Sequence, residues 1–206
     1  ARLQGEMPEA EWVGTMRETS LGTPPDEVRR RFATEAYICV PEFFSEEDVV
    51  AVRRSVFDTL ATTGEIRGAP EEGIYTGSSQ RRECIDNLDQ FWRDISEDWA
   101  LRRVTHSRAL HEFCDILLEE PSIAHDFVFL RVSNYGRKTL VHSDHGFFTR
   151  STDNVITAWI AFGEIPLQMG PLFILENSHK HPRVEESIRD FDVVRDSDRK
   201  ASWSET

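Results

Sequence analysis

Cysteine is scarce in this chain. Cys39, Cys84 and Cys114 are the three in 206 residues, far apart and in no C-x-x-C spacing. That pattern excludes a disulfide frame and a cysteine zinc site, and it points to reduced, mostly packed thiols. Basic residues are also in short supply: 24 Lys and Arg stand against 37 Asp and Glu, a formal net charge of -13. Such a surface repels a phosphate backbone, so nucleic acid is not an expected partner. No apolar run approaches the roughly 20 residues that span a bilayer. The first ten residues have neither the basic start nor the apolar stretch of an export signal. No membrane partner is expected, and the cytoplasm is the expected compartment.

What remains, 39% hydrophobic and 30% charged residues, suits one globular domain with a substantial core. Residues 1–23 lack periodicity and read as an irregular arm, with the domain running over 24–206. Its first part, 24–120, is helical in pattern. Pro24-Pro25-Asp26 opens a short helix carrying Val28 and Phe32, and a brief apolar strand over 37–40 follows, closed by Pro41. Ser45-Glu46-Glu47-Asp48 has capping-box spacing, and Val49, Val52, Val56 and Leu60 follow at helical intervals, with Gly64 as the stop. Residues 64–95 are polar and weakly periodic, the texture of a long loop suited to substrate contacts. Leu101, Val104, Leu110, Phe113 and Leu117 then predict helical packing up to Pro121. From 126 to 180 the texture changes to short runs, 127–133, 139–144, 155–162 and 172–175, separated by turn residues and predicting strands. Residues 183–206 are charged and read as a mobile tail or lid. Helices on one side of short antiparallel strands indicate an α+β class or a mainly β barrel buttressed by helices.

The chemistry centres on His142-Ser143-Asp144. On a strand, the two-residue period turns both ligand-type side chains to one face, where an imidazole and a carboxylate can meet a single metal. Iron(II) accepts that mixed set in the facial triad of two His and one carboxylate, so a third ligand must come from elsewhere. With seven His in the chain, about half of one His-x-Asp would arise by chance. The plain alternative is a hydrogen-bonded strand His followed by a turn-forming Asp.

Context decides between these. Phe129-Leu130-Arg131, the segment from Thr139 through Asp144, Thr157-Ala158-Trp159-Ile160-Ala161-Phe162, Gly170-Pro171-Leu172 and Asn177-Ser178-His179-Lys180 occur in that order. With Phe32, Tyr37 and Pro41-Glu42-Phe43-Phe44 before them, the series resembles the phytanoyl-CoA dioxygenase family over about residues 30–180. The resemblance implies a double-stranded β-helix, a cupin-like jelly roll with packed helices. It also implies an oxygenase that uses Fe(II), 2-oxoglutarate and O2 to oxidise a C–H bond of a small organic molecule. His142 and Asp144 would be the first two iron ligands. Trp159, facing with Val155, Thr157 and Ala161, would flank the cosubstrate, and Arg131 and Thr139 are further pocket candidates. Related halogenases replace the carboxylate with a small residue, so Asp144 implies hydroxylation or a similar oxidation.

Two departures from the family pattern stand out. Asn177 takes the place of a usual Gly, and Asn is the other residue that tolerates a left-handed turn. The distal His and the Arg that pairs with the oxoglutarate carboxylate have no matching segment, so the expectation is that the fold is incomplete at Thr206 and that both lie beyond it. His179 and His181 are the in-chain alternatives for the third ligand. Strand alternation turns His145 away from His142, and His106, His111 and His125 sit in or beside helical segments without a chemical role. A ligand-binding protein on the same scaffold, or a cupin-like metalloenzyme that does not use oxoglutarate, is the rival reading. Oxoglutarate-dependent succinate formation separates the three.

Overall fold

The computed structural model describes residues 13–126, 128–130, 142–144, 148, 152–188 and 195–196. Helix α1 (Pro25–Glu35) starts with Pro at its first position, where a missing N–H is no loss, and with Asp26 and Glu27 facing the positive end of the helix dipole. It ends at Ala36, in the left-handed region at φ 60°. Helix α2 (Glu46–Ala61) is capped as its sequence predicts: the Ser45 hydroxyl accepts the Asp48 amide at 3.2 Å. The acid of the pair departs from the capping-box pattern, since Asp48 accepts from the Ser45 hydroxyl (2.8 Å) rather than from its amide. Asp48 also holds Arg103 at 2.7 Å, which ties the start of α2 to a later helix.

The stretch 64–95, expected as a long loop, is structured. A two-stranded antiparallel hairpin joins β1 (Ile66–Arg67) to β2 (Ile74–Tyr75), with Ile66 opposite Tyr75. Its turn needs glycine at position 73: φ is 62°, and a Cβ there would meet the Phe57 ring at 2.4 Å. Helices α3 (Arg81–Cys84) and α4 (Leu88–Ser96) follow. Helices α5 (Trp99–Thr105) and α6 (Arg108–Leu118) complete the helical layer, capped by Asp98 and Ser107. The core is helix on helix: Val52, Val56 and Leu60 of α2 against Phe91 and Ile95 of α4 and Leu101 and Val104 of α5. Fully burying each such side chain contributes about 1.5–3 kcal/mol.

The described residues do not form the expected mainly β jelly roll. The described residues are 46% helical with only two short strands, and both strands lie in the hairpin rather than in the segments read as strands. A strand exists only through its partner, because its backbone N–H and C=O groups are satisfied by a neighbouring chain. Among the described residues, 155–162 and 172–175 pair with no other strand. Residues 37–40 form one parallel bridge, Glu18 with Cys39, rather than a strand. Of the runs 127–133 and 139–144, only 128–130 and 142–144 are described.

The chain after α6 still lies on the helical layer. Val128, Leu130, Ile160 and Phe162 pack against the core cluster. Two 3-10 turns, Leu167–Met169 and Ser178–Lys180, lead to α7 (Pro182–Ile188). Asn177 takes the left-handed conformation expected of it, at φ 59°. The Lys180 ammonium then donates to the Thr34 carbonyl at 2.6 Å, docking this turn on the end of α1. No helix among the described residues is long and apolar enough to cross a membrane.

Candidate functional site

Two segments carry the site's framework, and each has one side on the helical layer. Ser96, 3% exposed on α4, fixes the first: the Val128 amide donates to its hydroxyl at 3.0 Å. Asn154 fixes the start of the second, donating through Nδ2 to the Leu118 carbonyl that ends α6 (2.9 Å) and to Glu120 (2.6 Å). Beyond the second anchor, Ile160 and Phe162 face the core, while Thr157, Ala158, Trp159 and Ala161 are exposed. Phe129 is likewise exposed between Val128 and Leu130, and its ring meets Phe148 edge to face at 5.8 Å. Of the face that the sequence assigns to the pocket, Thr157, Trp159 and Ala161 are exposed, whereas Val155 is half-buried.

His142 and Asp144 are brought together. His142 Nε2 lies 3.3 Å from Asp144 Oδ1, and the two side chains are 36% and 40% exposed. The other carboxylate oxygen, Oδ2, accepts a hydrogen bond from the Thr157 hydroxyl at 2.9 Å, across thirteen residues of chain. The donor set suits a divalent first-row metal. Nitrogen and oxygen ligands at right angles, each about 2.1 Å from such an ion, stand about 3 Å apart, close to the separation seen. Imidazole with carboxylate is also the mixture that iron(II) accepts. Among the described residues no third His, Cys, Asp or Glu completes a group of three with this pair.

The remaining candidates fall elsewhere. Arg131, Thr139 and His145 lie outside the described residues. Trp159 is 52% exposed, two positions along the outward face from Thr157. His179 sits in the Ser178–Lys180 turn, and its Nε2 is buried with no hydrogen-bond partner among the described residues. His181 is exposed and accepts the Arg183 amide at 3.3 Å. The three helical-region His residues make local contacts. His106 lies between Arg102 (2.6 Å) and Thr105 (2.9 Å), and burial, then the Arg102 charge, holds it below its ordinary 6.5. His111 meets the Ser122 hydroxyl at 3.0 Å. The His125 ring rests 5.2 Å from that of Phe148.

Thr157 is the member of this site that sequence reasoning passed over. Its signal was available, as a hydroxyl on the face shared with Trp159, but nothing in the sequence pairs it with Asp144.

Against protein families, the model described as phytanoyl-CoA dioxygenase (PhyH) matches residues 35–206, a span that includes every candidate named above. Comparison with curated proteins and with solved structures gave no match.

Proposed function

The chain belongs to the phytanoyl-CoA dioxygenase (PhyH) family, and from that premise we propose that it is an Fe(II)- and 2-oxoglutarate-dependent oxygenase acting on a C–H bond of a small organic molecule. The observation that carries the reading is the approach of His142 Nε2 to Asp144 Oδ1 at 3.3 Å, on a solvent-accessible edge. It supports these two as protein ligands of the iron. When bound, iron and 2-oxoglutarate supply the activation of O2 and the oxidation of the C–H bond, with the cosubstrate released as succinate and CO2.

The protein's own part is to hold and to shield. Asp144 offers one oxygen beside His142 and keeps the other on Thr157. Trp159 offers a large apolar face two residues away, suited to cover the cosubstrate and limit water at the metal. A carboxylate at 144 also fills a position that a halide would need, which supports hydroxylation or a related oxidation. Arg131 and Thr139 are the further pocket candidates of this reading, and both lie outside the described residues.

Succinate release from 2-oxoglutarate, measured with and without Fe(II), tests the activity. The wild-type chain should show iron-dependent release and Asp144→Ala none. Full release and undiminished iron affinity in Asp144→Ala would overturn the ligand assignment. Calorimetric binding of 2-oxoglutarate, with Mn(II) in place of iron, should weaken in Trp159→Ala; an unchanged affinity would remove Trp159 from the pocket.

A further inference from the structure

We propose that Thr157 is the positioning residue of the metal site, whose hydroxyl fixes the Asp144 carboxylate so that a single oxygen, Oδ1, is presented to the metal beside His142. The inference rests on the reading of Asp144 as a metal ligand, and it assigns a role to a residue that is itself no ligand.

The geometry divides the labour of the carboxylate cleanly. Oδ1 is the atom within 3.3 Å of His142 Nε2, while Oδ2 is the atom that accepts from Thr157 Oγ1 at 2.9 Å. An Asp side chain left to itself rotates about its last bond and can present either oxygen, or both. A hydroxyl bonded to one oxygen stops that rotation, and a bond to an ionised acceptor is roughly twice as strong as a neutral one. Threonine suits the task because its branched Cβ restricts the first side-chain torsion, so its hydroxyl is aimed rather than free to swing. Thr157 is exposed, yet its hydroxyl is committed to a carboxylate thirteen residues away. Its own segment is held from behind by Ile160 and Phe162 on the helical core. The position of the carboxylate is thereby referred to the packed helical core. Partners of ligating carboxylates are commonly worth 10–100-fold in metal affinity.

The test uses the full chain, Co(II) alone as the probe, and three variants. Thr157→Val keeps the branched shape and removes the hydroxyl, while Thr157→Ser keeps the hydroxyl. Relative to wild type, Thr157→Val should bind Co(II) about tenfold more weakly or worse and show an altered ligand-field spectrum, because the carboxylate is free to change its binding mode. Thr157→Ser should restore both. Wild-type affinity and spectrum in Thr157→Val, with Co(II) binding lost in Asp144→Ala, would overturn the role of Thr157 and leave the iron assignment standing. A Ser variant as weak as Val would also overturn it, since the hydroxyl would then not be the active group. Unchanged Co(II) affinity in Asp144→Ala would instead overturn the parent reading, and this one with it.

Discussion

Glu65 and Arg81 meet fork to fork. Arg81 Nε donates to Glu65 Oε1 and Nη2 donates to Oε2 at 2.7 Å, with the Glu65 side chain 1% exposed and that of Arg81 23%. Thr63 and Ser79 add hydrogen bonds at 3.0 and 2.9 Å, and the guanidinium lies 4.6 Å over the Trp92 ring. This cluster closes the hairpin and α3 against the helical core.

Removing the cation should therefore leave a buried carboxylate without its partner. Arg81→Ala is expected to lose about 3 kcal/mol in urea unfolding, the low end for breaking a buried pair because Arg81 is partly exposed. Arg81→Lys should recover only part of that, since an ammonium cannot fill the fork. A loss under about 1 kcal/mol in Arg81→Ala would show that the pair is not a clamp.

The same cluster sets an acid limit. Burial works to raise the Glu65 carboxyl, but hydrogen bonds from Arg81, Ser79 and Thr63 prevail and leave it below its ordinary 4.5. A group lowered on folding adds stability above its unfolded value and loses it as pH falls through its folded value. Glu65→Gln should be less stable than wild type at neutral pH, and the gap should narrow as pH drops below 4.5. A constant gap from neutral pH down to strong acid would contradict this.

Asp98 has two duties in one side chain. Its Oδ1 caps α5 by accepting the Leu101 amide (3.1 Å), and its Oδ2 accepts the Ser55 hydroxyl of α2 (2.7 Å). Asp98→Ala should lose about 2 kcal/mol, roughly one from each bond. Asp98→Asn, which keeps an oxygen for the cap, should lose less. Adding Ser55→Ala to Asp98→Ala should cost nothing further beyond a few tenths of a kcal/mol. An additive loss in the double variant would mean that the two groups do not act together.

His179 and His181 are expected to leave the metal site untouched. Neither forms a group of three metal-binding side chains with His142 and Asp144 among the described residues. Co(II) affinity should be the same in His179→Phe, His181→Ala and wild type. A tenfold drop in either variant would identify the third ligand. Because the buried Nε2 of His179 has no partner among the described residues, and leaving such an atom unpaired costs about 1–3 kcal/mol, His179→Phe should also be neutral or slightly more stable.

Local rules were readable in the sequence. The Pro25 start of α1, the Ser45 cap of α2 and the left-handed Asn177 depend on a few neighbouring residues, and each is found as predicted. The alternation was legible in part, because a side-chain face is a local property: Ile160 and Phe162 turn to the core away from Trp159, but Ala158 is exposed beside it. The jelly roll was not, since an apolar run reports which side is covered and says nothing of a pairing partner. Residues 64–95 looked like loop for a related reason. Their order depends on Glu65 finding Arg81 sixteen positions later, and a polar residue destined for burial carries no mark until its partner is in place. At the site, the His-x-Asp spacing was visible, while the Thr157 contact to Asp144 exists only once two distant segments share a surface.

The placement of the core has a consequence for synthesis. All seven residues of the buried cluster fall between positions 52 and 104, while Val128, Leu130, Ile160 and Phe162, which cover it, come later. Chains leave the ribosome N-terminus first and fold as they emerge. The helical nucleus of this protein can therefore close while the stretch bearing His142 and Asp144 is still being made. That stretch arrives at a finished surface, with buried Ser96 already in place to take the Val128 amide. Substitutions in α2 or α5 should then slow folding of the whole chain, whereas changes at Ile160 or Phe162 should mainly speed its unfolding.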